Sequence, residues 1–345
     1  MSHTNYFSKN FHFCFSIPSF LLTFAETFSD KPMTTDEKYM QRCLQLARCG
    51  RQNAKPNPMV GAVIVANNRI IGEGYHVRCG QPHAEVNAFA SVRPEDEQLL
   101  GQATLYVSLE PCAHYGKTPP CADLIVSRGI PKVVVGCIDE FAEVRGRGIR
   151  RLQDAGIDVT VGVLEEECRK LNRRFFTYHR CQRPYIILKW AQTANGFIDE
   201  QGHALQISTD FTRMLAHKLR AEEDAILVGR VTDEREHPRL TVREWNGPHP
   251  RRLVIDRAHP LRLDSLFQQH IQSIIVEGGN KTLTSFLAQD LWDEIRVETA
   301  TAITANGGTR APQLPANATV AHTEVYGNNV IVCYRRTDPS NLSTR

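Results

Sequence analysis

No apolar stretch of the 345-residue chain approaches the ~20 residues that a membrane-spanning helix requires. A surplus of one charge is missing too: 41 Lys and Arg against 38 Asp and Glu leave a formal net charge of +3. No run of five like charges occurs, and Arg147-Gly-Ile-Arg150-Arg151, the nearest to one, reads as a solvated helix face. That balance gives no electrostatic footprint for nucleic acid. Neither a nucleic acid nor a membrane is therefore expected as a partner. Internal repeats, low-complexity linkers and a dense disulfide spacing are absent as well.

The length suggests two domains. Apolar residues make up 41% and charged residues 23%, an ordinary globular balance. Residues 1–32 differ from the rest: Phe11 to Phe24 is rich in Phe, Ser and Leu, with only Lys9 before it and no cleavage pattern after it. They read as a disordered extension or an over-long start, with Met33 beginning the functional protein.

From Asp36 a helix is capped and ends near Gly50. Val60–Val65 and Ile70–Tyr75 form a hairpin about Asn67-Asn68. A helix over His83–Ser91, a strand over Ala103–Leu109, a helix over Cys121–Arg128 and a buried strand over Lys132–Ile138 follow. Then come a helix over Gly148–Ala155, a strand over Ile157–Val163 and one long helix from Glu165 to about His179. The pattern restarts after Pro184. It gives strands at Tyr185–Trp190, Ala225–Val228, Arg252–Ile255 and Ser273–Val276, helices at Thr209–Ala221 and Lys281–Ala288, and two closing strands about Gly327-Asn328-Asn329. Both halves are α/β with helix-covered sheets. The boundaries expected are 33–183, 184–336 and a tail over 337–345.

Of ten cysteines, Cys137 and Cys333 fall in apolar strand patterns and read as inert buried thiols. Cys112 and Cys121 belong to a different pattern: His83-Ala84-Glu85, then Pro111-Cys112, then Cys121. One imidazole and two thiolates make three zinc ligands with a fourth position open, as in catalytic rather than structural zinc sites. Glu85 is the proton shuttle between water and a departing amine. His-x-Glu followed by Pro-Cys and a further Cys is a zinc deaminase signature, here with the cysteines nine apart instead of three. Gly116, Pro119 and Pro120 forbid one helix between them, so each cysteine is expected at or near a helix start. The alternative is a structural zinc site completed by His114. Thiolate ligands suit a reducing cytosol, which makes a cytoplasmic location the expectation.

His83-Ala-Glu85-Val, Ser108-Leu-Glu-Pro111-Cys112-Ala-His114-Tyr-Gly-Lys117-Thr-Pro-Pro-Cys121, Gly146-Arg-Gly-Ile and Lys55-Pro-Asn57-Pro58-Met-Val60-Gly61 resemble the bifunctional deaminase/reductase of riboflavin biosynthesis. The second half matches that family at Lys189-Trp-Ala191-Gln-Thr-Ala-Asn195-Gly196, Leu219–Gly229, Leu240-Thr-Val-Arg243 and Val276-Glu277-Gly278-Gly279. The resemblance covers about residues 33–336. It implies a cytidine-deaminase-like three-layer domain joined to a dihydrofolate-reductase-like domain, with Zn2+ and NADPH as cofactors and a homo-oligomer. It implies deamination of 2,5-diamino-6-ribosylamino-4(3H)-pyrimidinone 5′-phosphate, then NADPH reduction of the ribosyl group to ribityl. It makes His83, Cys112 and Cys121 the metal ligands and Glu85 catalytic. Asn57, His76, Lys117, Glu236, Leu240, Arg243 and Glu277 would meet the substrate. Ala191, Gln206, Ser208, Thr232, Gly278, Gly279 and Asn280 would meet the dinucleotide.

The second half departs from the family pattern. Glu236 replaces an aspartate, Arg230 and Val231 replace small residues, and Ala204-Leu-Gln206-Ile-Ser208 replaces a Ser-x-Trp-Ile-Thr stretch. The loop between Ile255 and Ser273 is short. A deaminase with a non-catalytic second domain is therefore the main alternative. Nucleic-acid editing and a purely structural zinc module are two others.

Overall fold

Strand β1 (Gly61–Ala66) is buried along its whole length, and its side chains alternate between two cores. Ala62, Ile64 and Ala66 face one side and Val63 and Val65 the other, the two-residue period of a strand covered on both faces. The computed structural model describes residues 32–113, 119–140 and 145–336. Outside the described residues lie the N-terminal extension apart from its last residue, the tail, His114 and Lys117.

In the first half β1 pairs antiparallel with β2 (Arg69–Tyr75) and β3 (Thr104–Leu109); β4 (Lys132–Cys137) and β5 (Asp158–Val161) continue in parallel. The sheet order is β2-β1-β3-β4-β5. Asn67 and Asn68 both adopt positive φ, which closes the β1–β2 hairpin as read from the sequence. Helices α1 (Thr35–Cys49) and α5 (Glu165–Leu171) cover one face through Met40, Cys43, Leu44 and Cys168. Helices α2 (Ala84–Ala90), α3 (Cys121–Ser127) and α4 (Arg147–Asp154) cover the other through Ala84, Ala88, Ala122, Ile125 and Leu152. This is a three-layer arrangement of helices, sheet and helices, as expected for the first half.

The long charged helix expected from Glu165 to His179 is instead two helices, α5 and α6 (Arg173–Cys181). The break is at Asn172, whose φ and ψ of −102° and 19° leave the helical range. Its buried amide pairs with the Met59 backbone, accepting from N and donating to O at 2.8 Å each. A tertiary bond to another segment overrides helical continuity there.

The second half carries a seven-stranded sheet, β11-β12-β10-β6-β9-β7-β8. Strands β6 (Tyr185–Thr193), β7 (Ala225–Gly229), β8 (Arg251–Ile255), β9 (Ser273–Val276) and β10 (Glu294–Ala300) run parallel. Strands β12 (Asn329–Arg336) and β11 (Ala318–Tyr326) close it antiparallel. Helix α7 (Asp210–Glu222) starts in a capping box in which Thr209 accepts from the Thr212 N–H. Helix α8 (Arg230–Glu236) follows β7, α9 (Leu263–Gln268) follows β8 and α10 (Asn280–Ala288) follows β9. The short helices α8 and α9, strand β10 and a 3₁₀ segment over Pro94–Gln102 lack a clear periodic signature and escape the sequence reading.

Candidate active site

His83 stands as the N-cap of α2, with extended φ and ψ, and its Nδ1 faces the Cys112 and Cys121 sulfurs. Two residues on, Glu85 is buried in the first turn. Cys121 is the first residue of α3. Cys112 lies in the coil leaving β3, and residues 114–118, which follow it closely, are outside those described. The two cysteines are tied together: the Cys112 carbonyl accepts from Ala122 N at 3.1 Å, and the Cys121 N–H points at Cys112 Sγ at 3.4 Å.

Cys112 Sγ and Cys121 Sγ stand 3.6 and 3.4 Å from His83 Nδ1. All three donor atoms lie within 4.8 Å of one another. Tetrahedral zinc with ordinary Zn–S and Zn–N bonds sets sulfur and nitrogen about 3.5 Å apart, so the donor set fits that metal. Hydrogen bonding with the Cys121 thiol and with His83 lowers the Cys112 thiol against the opposing effect of burial, favouring its thiolate. Burial raises the Glu85 carboxyl to about 7; the Cys112 thiolate pushes the same way and His83 opposes it. A carboxyl near neutrality takes up and releases protons readily, as a shuttle must.

Asn57 and His76 are brought to the same place. His76 Nδ1 lies 3.1 Å from the Pro82 carbonyl, so it carries the proton, and Nε2 accepts from Asn57 Nδ2 at 3.1 Å. The His76 ring stands edge-on to His83, centroids 5.3 Å apart. Burial lowers its pKa, favouring the neutral imidazole. His76 is thus a fixed buried group rather than a loose surface histidine.

The cysteine loop is anchored by Glu110, which the sequence reading passed over. Its buried carboxylate accepts from the backbone N–H of Gly148 at 2.9 Å, Gly146 at 3.0 Å and Asp139 at 3.2 Å. Gly148 packs so closely that a Cβ there would stand 1.9 Å from the Pro111 carbonyl oxygen. The residues just before Cys112 are therefore gripped by the start of α4.

In the second half, Glu277 lies at the end of β9, its N–H bonded to the Leu227 carbonyl at 2.9 Å. Arg220 Nη2 reaches its carboxylate at 2.7 Å and Lys189 Nζ stands 3.8 Å away. Burial pushes the Glu277 carboxyl up, but the two cations outweigh it and hold it below its ordinary value. Arg243 is exposed; its N–H donates to His217 Nδ1 at 2.9 Å. Leu240 is buried with φ of 53°, a conformation leucine keeps only where its surroundings impose it. Glu236 ends α8, exposed.

The Gly-Gly turn has more structural duty than the sequence suggested. Gly278 backs onto Thr282, where a Cβ would come within 2.8 Å, and Gly279 N donates to Thr232 Oγ1 at 3.2 Å. Asn280 begins α10 and donates to the Arg310 carbonyl at 2.6 Å. Thr232, Gly278, Gly279 and Asn280 thus form one cluster at the start of a nine-residue helix, a place suited to a phosphate. Ala191 and Ser208 are joined elsewhere: Ala191 pairs with Glu298 across the sheet, and Ser208 donates to the Glu298 carboxylate at 2.7 Å. Gln206 is exposed.

Residues 33–137 match the family model for the cytidine and deoxycytidylate deaminase zinc-binding region, and residues 184–267 match that of the RibD C-terminal domain. The riboflavin biosynthesis protein RibD of Aquifex aeolicus is 36% identical over 354 residues, covering 87% of this chain and 98% of that protein. The chain belongs to the RibD family of riboflavin biosynthesis. A solved deaminase/reductase of that family, a diaminohydroxyphosphoribosylaminopyrimidine deaminase/5-amino-6-(5-phosphoribosylamino)uracil reductase from Thermotoga maritima, superposes with a TM-score of 0.80 at 34% identity, over 88% of this chain and 99% of its own. Acinetobacter baumannii RibD superposes with a TM-score of 0.77 at 29% identity, over 88% and 99%.

As a RibD-family member the chain is a bifunctional enzyme, a zinc-type deaminase joined to a reductase of riboflavin biosynthesis. Membership implies zinc and NADPH as its cofactors. The reading of the second half as a non-catalytic module is not favoured. Among the described residues no helix is long and apolar enough to cross a membrane. Besides Glu110, the sequence reading missed Asn172 and the Arg220–Glu277 pairing. The only signal for Asn172 was a short polar residue inside a charged helix pattern.

Proposed function

We propose that the first site removes the ring 2-amino group of 2,5-diamino-6-ribosylamino-4(3H)-pyrimidinone 5′-phosphate, and that the second reduces the ribosyl group of the product to ribityl with NADPH. The observation that carries the reading is the His83–Cys112–Cys121 donor set beside the buried carboxyl of Glu85. When bound, zinc makes water a nucleophile at neutral pH. Glu85 takes the proton that water gives up and passes it to the amino nitrogen, so that ammonia leaves as oxygen takes its place. Asn57, fixed by His76, hydrogen-bonds the pyrimidine ring, and Lys117 meets the phosphate.

In the second site, bound NADPH supplies a hydride. Thr232, Gly278, Gly279 and Asn280 hold its phosphate end, and Ala191, Gln206 and Ser208 contact the remainder. Glu277 and Arg243 hold the ribotide with Leu240 and Glu236; the exposed guanidinium of Arg243 suits its phosphate. The longer Glu236 stands at an exposed helix end, where an added methylene meets little crowding. A cytoplasmic homo-oligomer completes the reading: none of the nine described cysteines is in a disulfide, as a reducing compartment keeps them.

Glu85→Gln tests the first site. Ammonia release falls at least about 10³-fold, while zinc content and NADPH oxidation on already deaminated ribotide stay near wild type. Ammonia release at the wild-type rate contradicts the assignment.

A further inference from the structure

The loop that carries Asn57 is held largely from outside the deaminase half. Lys55 Nζ donates to the Glu222 carbonyl at 2.5 Å and to Asp224 Oδ1 at 2.7 Å, across the α7–β7 turn of the reductase half. The next carbonyl, that of Pro56, accepts from Gln272 Nε2 at 2.6 Å. Arg51 adds an ion pair to Glu222 at 2.8 Å. Asp224 is itself fixed: its other carboxylate oxygen accepts from the N–H groups of Gln272 and Ser273 at 2.8 and 3.1 Å, just before β9. On the far side of Asn57, Asn172 clamps both backbone groups of Met59.

Asn57 therefore sits between two clamps, one belonging to each half. Its own backbone N–H is tied to the Ala54 carbonyl at 2.9 Å and its side chain to His76. Lys55 is only a quarter exposed and Asp224 about a fifth, so their ion pair is largely shielded from water and from salt. A reacting ring tolerates little misplacement, and shifts of about 1 Å are enough to cost activity.

We infer that the reductase half completes the deaminase site, with Lys55 and Gln272 acting as positioning residues that set Asn57 against the pyrimidine. The inference rests on the proposed contact of Asn57 with substrate. It makes the two activities unequal in their dependence: the deaminase needs the α7–β7 turn of the reductase half, whereas the reductase needs no group of the 55–57 loop.

The test uses the full zinc-loaded chain carrying Lys55→Met, Lys55→Arg, Gln272→Leu, Asn57→Ala, or Lys55→Met with Asn57→Ala. Deamination is followed as ammonia, and reduction separately on deaminated ribotide with NADPH. Lys55→Met and Gln272→Leu each raise the deaminase KM about tenfold with a smaller change in kcat. Zinc stays at one per chain and reductase kinetics change less than about twofold. Lys55→Arg, which keeps the cation, recovers most of the loss. The double variant is no worse than Asn57→Ala alone, because Lys55 acts through Asn57.

Additive losses in the double variant, or a deaminase KM for both Lys55→Met and Gln272→Leu within twofold of wild type while Asn57→Ala raises it, overturn the inference and leave the contacts as struts between domains. An unchanged KM in Asn57→Ala overturns the proposed role of Asn57 and the inference with it. If Lys55→Met fails to fold, Gln272→Leu carries the same decision, since it removes a neutral side-chain bond and leaves the Asp224 ion pair in place.

Discussion

At the scale of single residues, the deaminase site combines groups that would not coexist in water. A thiolate at Cys112, a neutral His76 and a carboxyl near neutrality at Glu85 share one small volume. Burial favours the neutral forms of His76 and Glu85, whereas hydrogen bonds with Cys121 and His83 favour the Cys112 thiolate against burial. Zinc held by the three donors, whose edges about His83 Nδ1 are 3.4–3.6 Å, would offset the negative charge they carry. Cys121→Ser is therefore expected to lose zinc on dialysis and with it ammonia release, while NADPH oxidation on deaminated ribotide persists. Metal analysis beside the two assays checks this, and full zinc retention by the variant contradicts it. The grouping of His83, Cys112 and Cys121 was legible in the sequence because such chemistry is carried by residue type and spacing. Glu110 was not, because its role lies in accepting backbone N–H groups from segments 29 to 38 residues away, which no local pattern announces.

At the scale of elements, the proposed zinc ligands come from the starts of α2 and α3 and from the coil after β3, and packing sets their spacing. Gly148 lets α4 approach Pro111 at a distance that no side chain permits. Gly148→Ala must push α4 away, disturbing the Glu110 bonds and the adjacent Cys112. A destabilisation of about 2 kcal/mol is expected, the range of an overpacked core, together with weaker zinc retention. Urea unfolding and metal analysis test both, and wild-type behaviour in each would refute the packing argument. Most strands and helices were readable from alternation and capping, as in the Asn67-Asn68 hairpin and the buried run of β4. Where the reading failed, tertiary contacts decided: Asn172 splits one expected helix to clamp Met59. Strand β10 is hidden because Glu294, Arg296 and Glu298 interrupt its apolar pattern, two of them as buried partners of other groups.

At the scale of the whole molecule, the two halves are joined by charge as well as by chain. Arg174, on α6 of the first half, donates through Nε to the fully buried Glu223 carboxylate at 2.7 Å, and a second guanidinium bond accompanies it. Burial pushes the Glu223 carboxyl up, but Arg174 outweighs it and holds it below its ordinary 4.5. A carboxyl depressed in the folded state stabilises above its unfolded value, and that contribution is lost as the pH falls through the folded one. Acid should thus loosen the junction below about pH 4.5. Glu223→Gln leaves Arg174 buried without its counter-charge, at a cost of about 3 kcal/mol near neutrality. It also flattens the acid dependence. Urea midpoints at pH 7 and pH 4 measure both effects, and an unchanged pH dependence would show that Glu223 does not carry it.

The bifunctional reading itself is tested most directly by stoichiometry on the zinc-loaded chain. The diaminopyrimidinone ribotide is supplied, ammonia is counted, and NADPH is then added and followed by its absorbance. The account predicts one ammonia released and one NADPH oxidised per ribotide, with no NADPH consumed before deamination. Folded, metal-replete protein that releases no ammonia contradicts the account at its centre; ammonia without NADPH oxidation contradicts its second half.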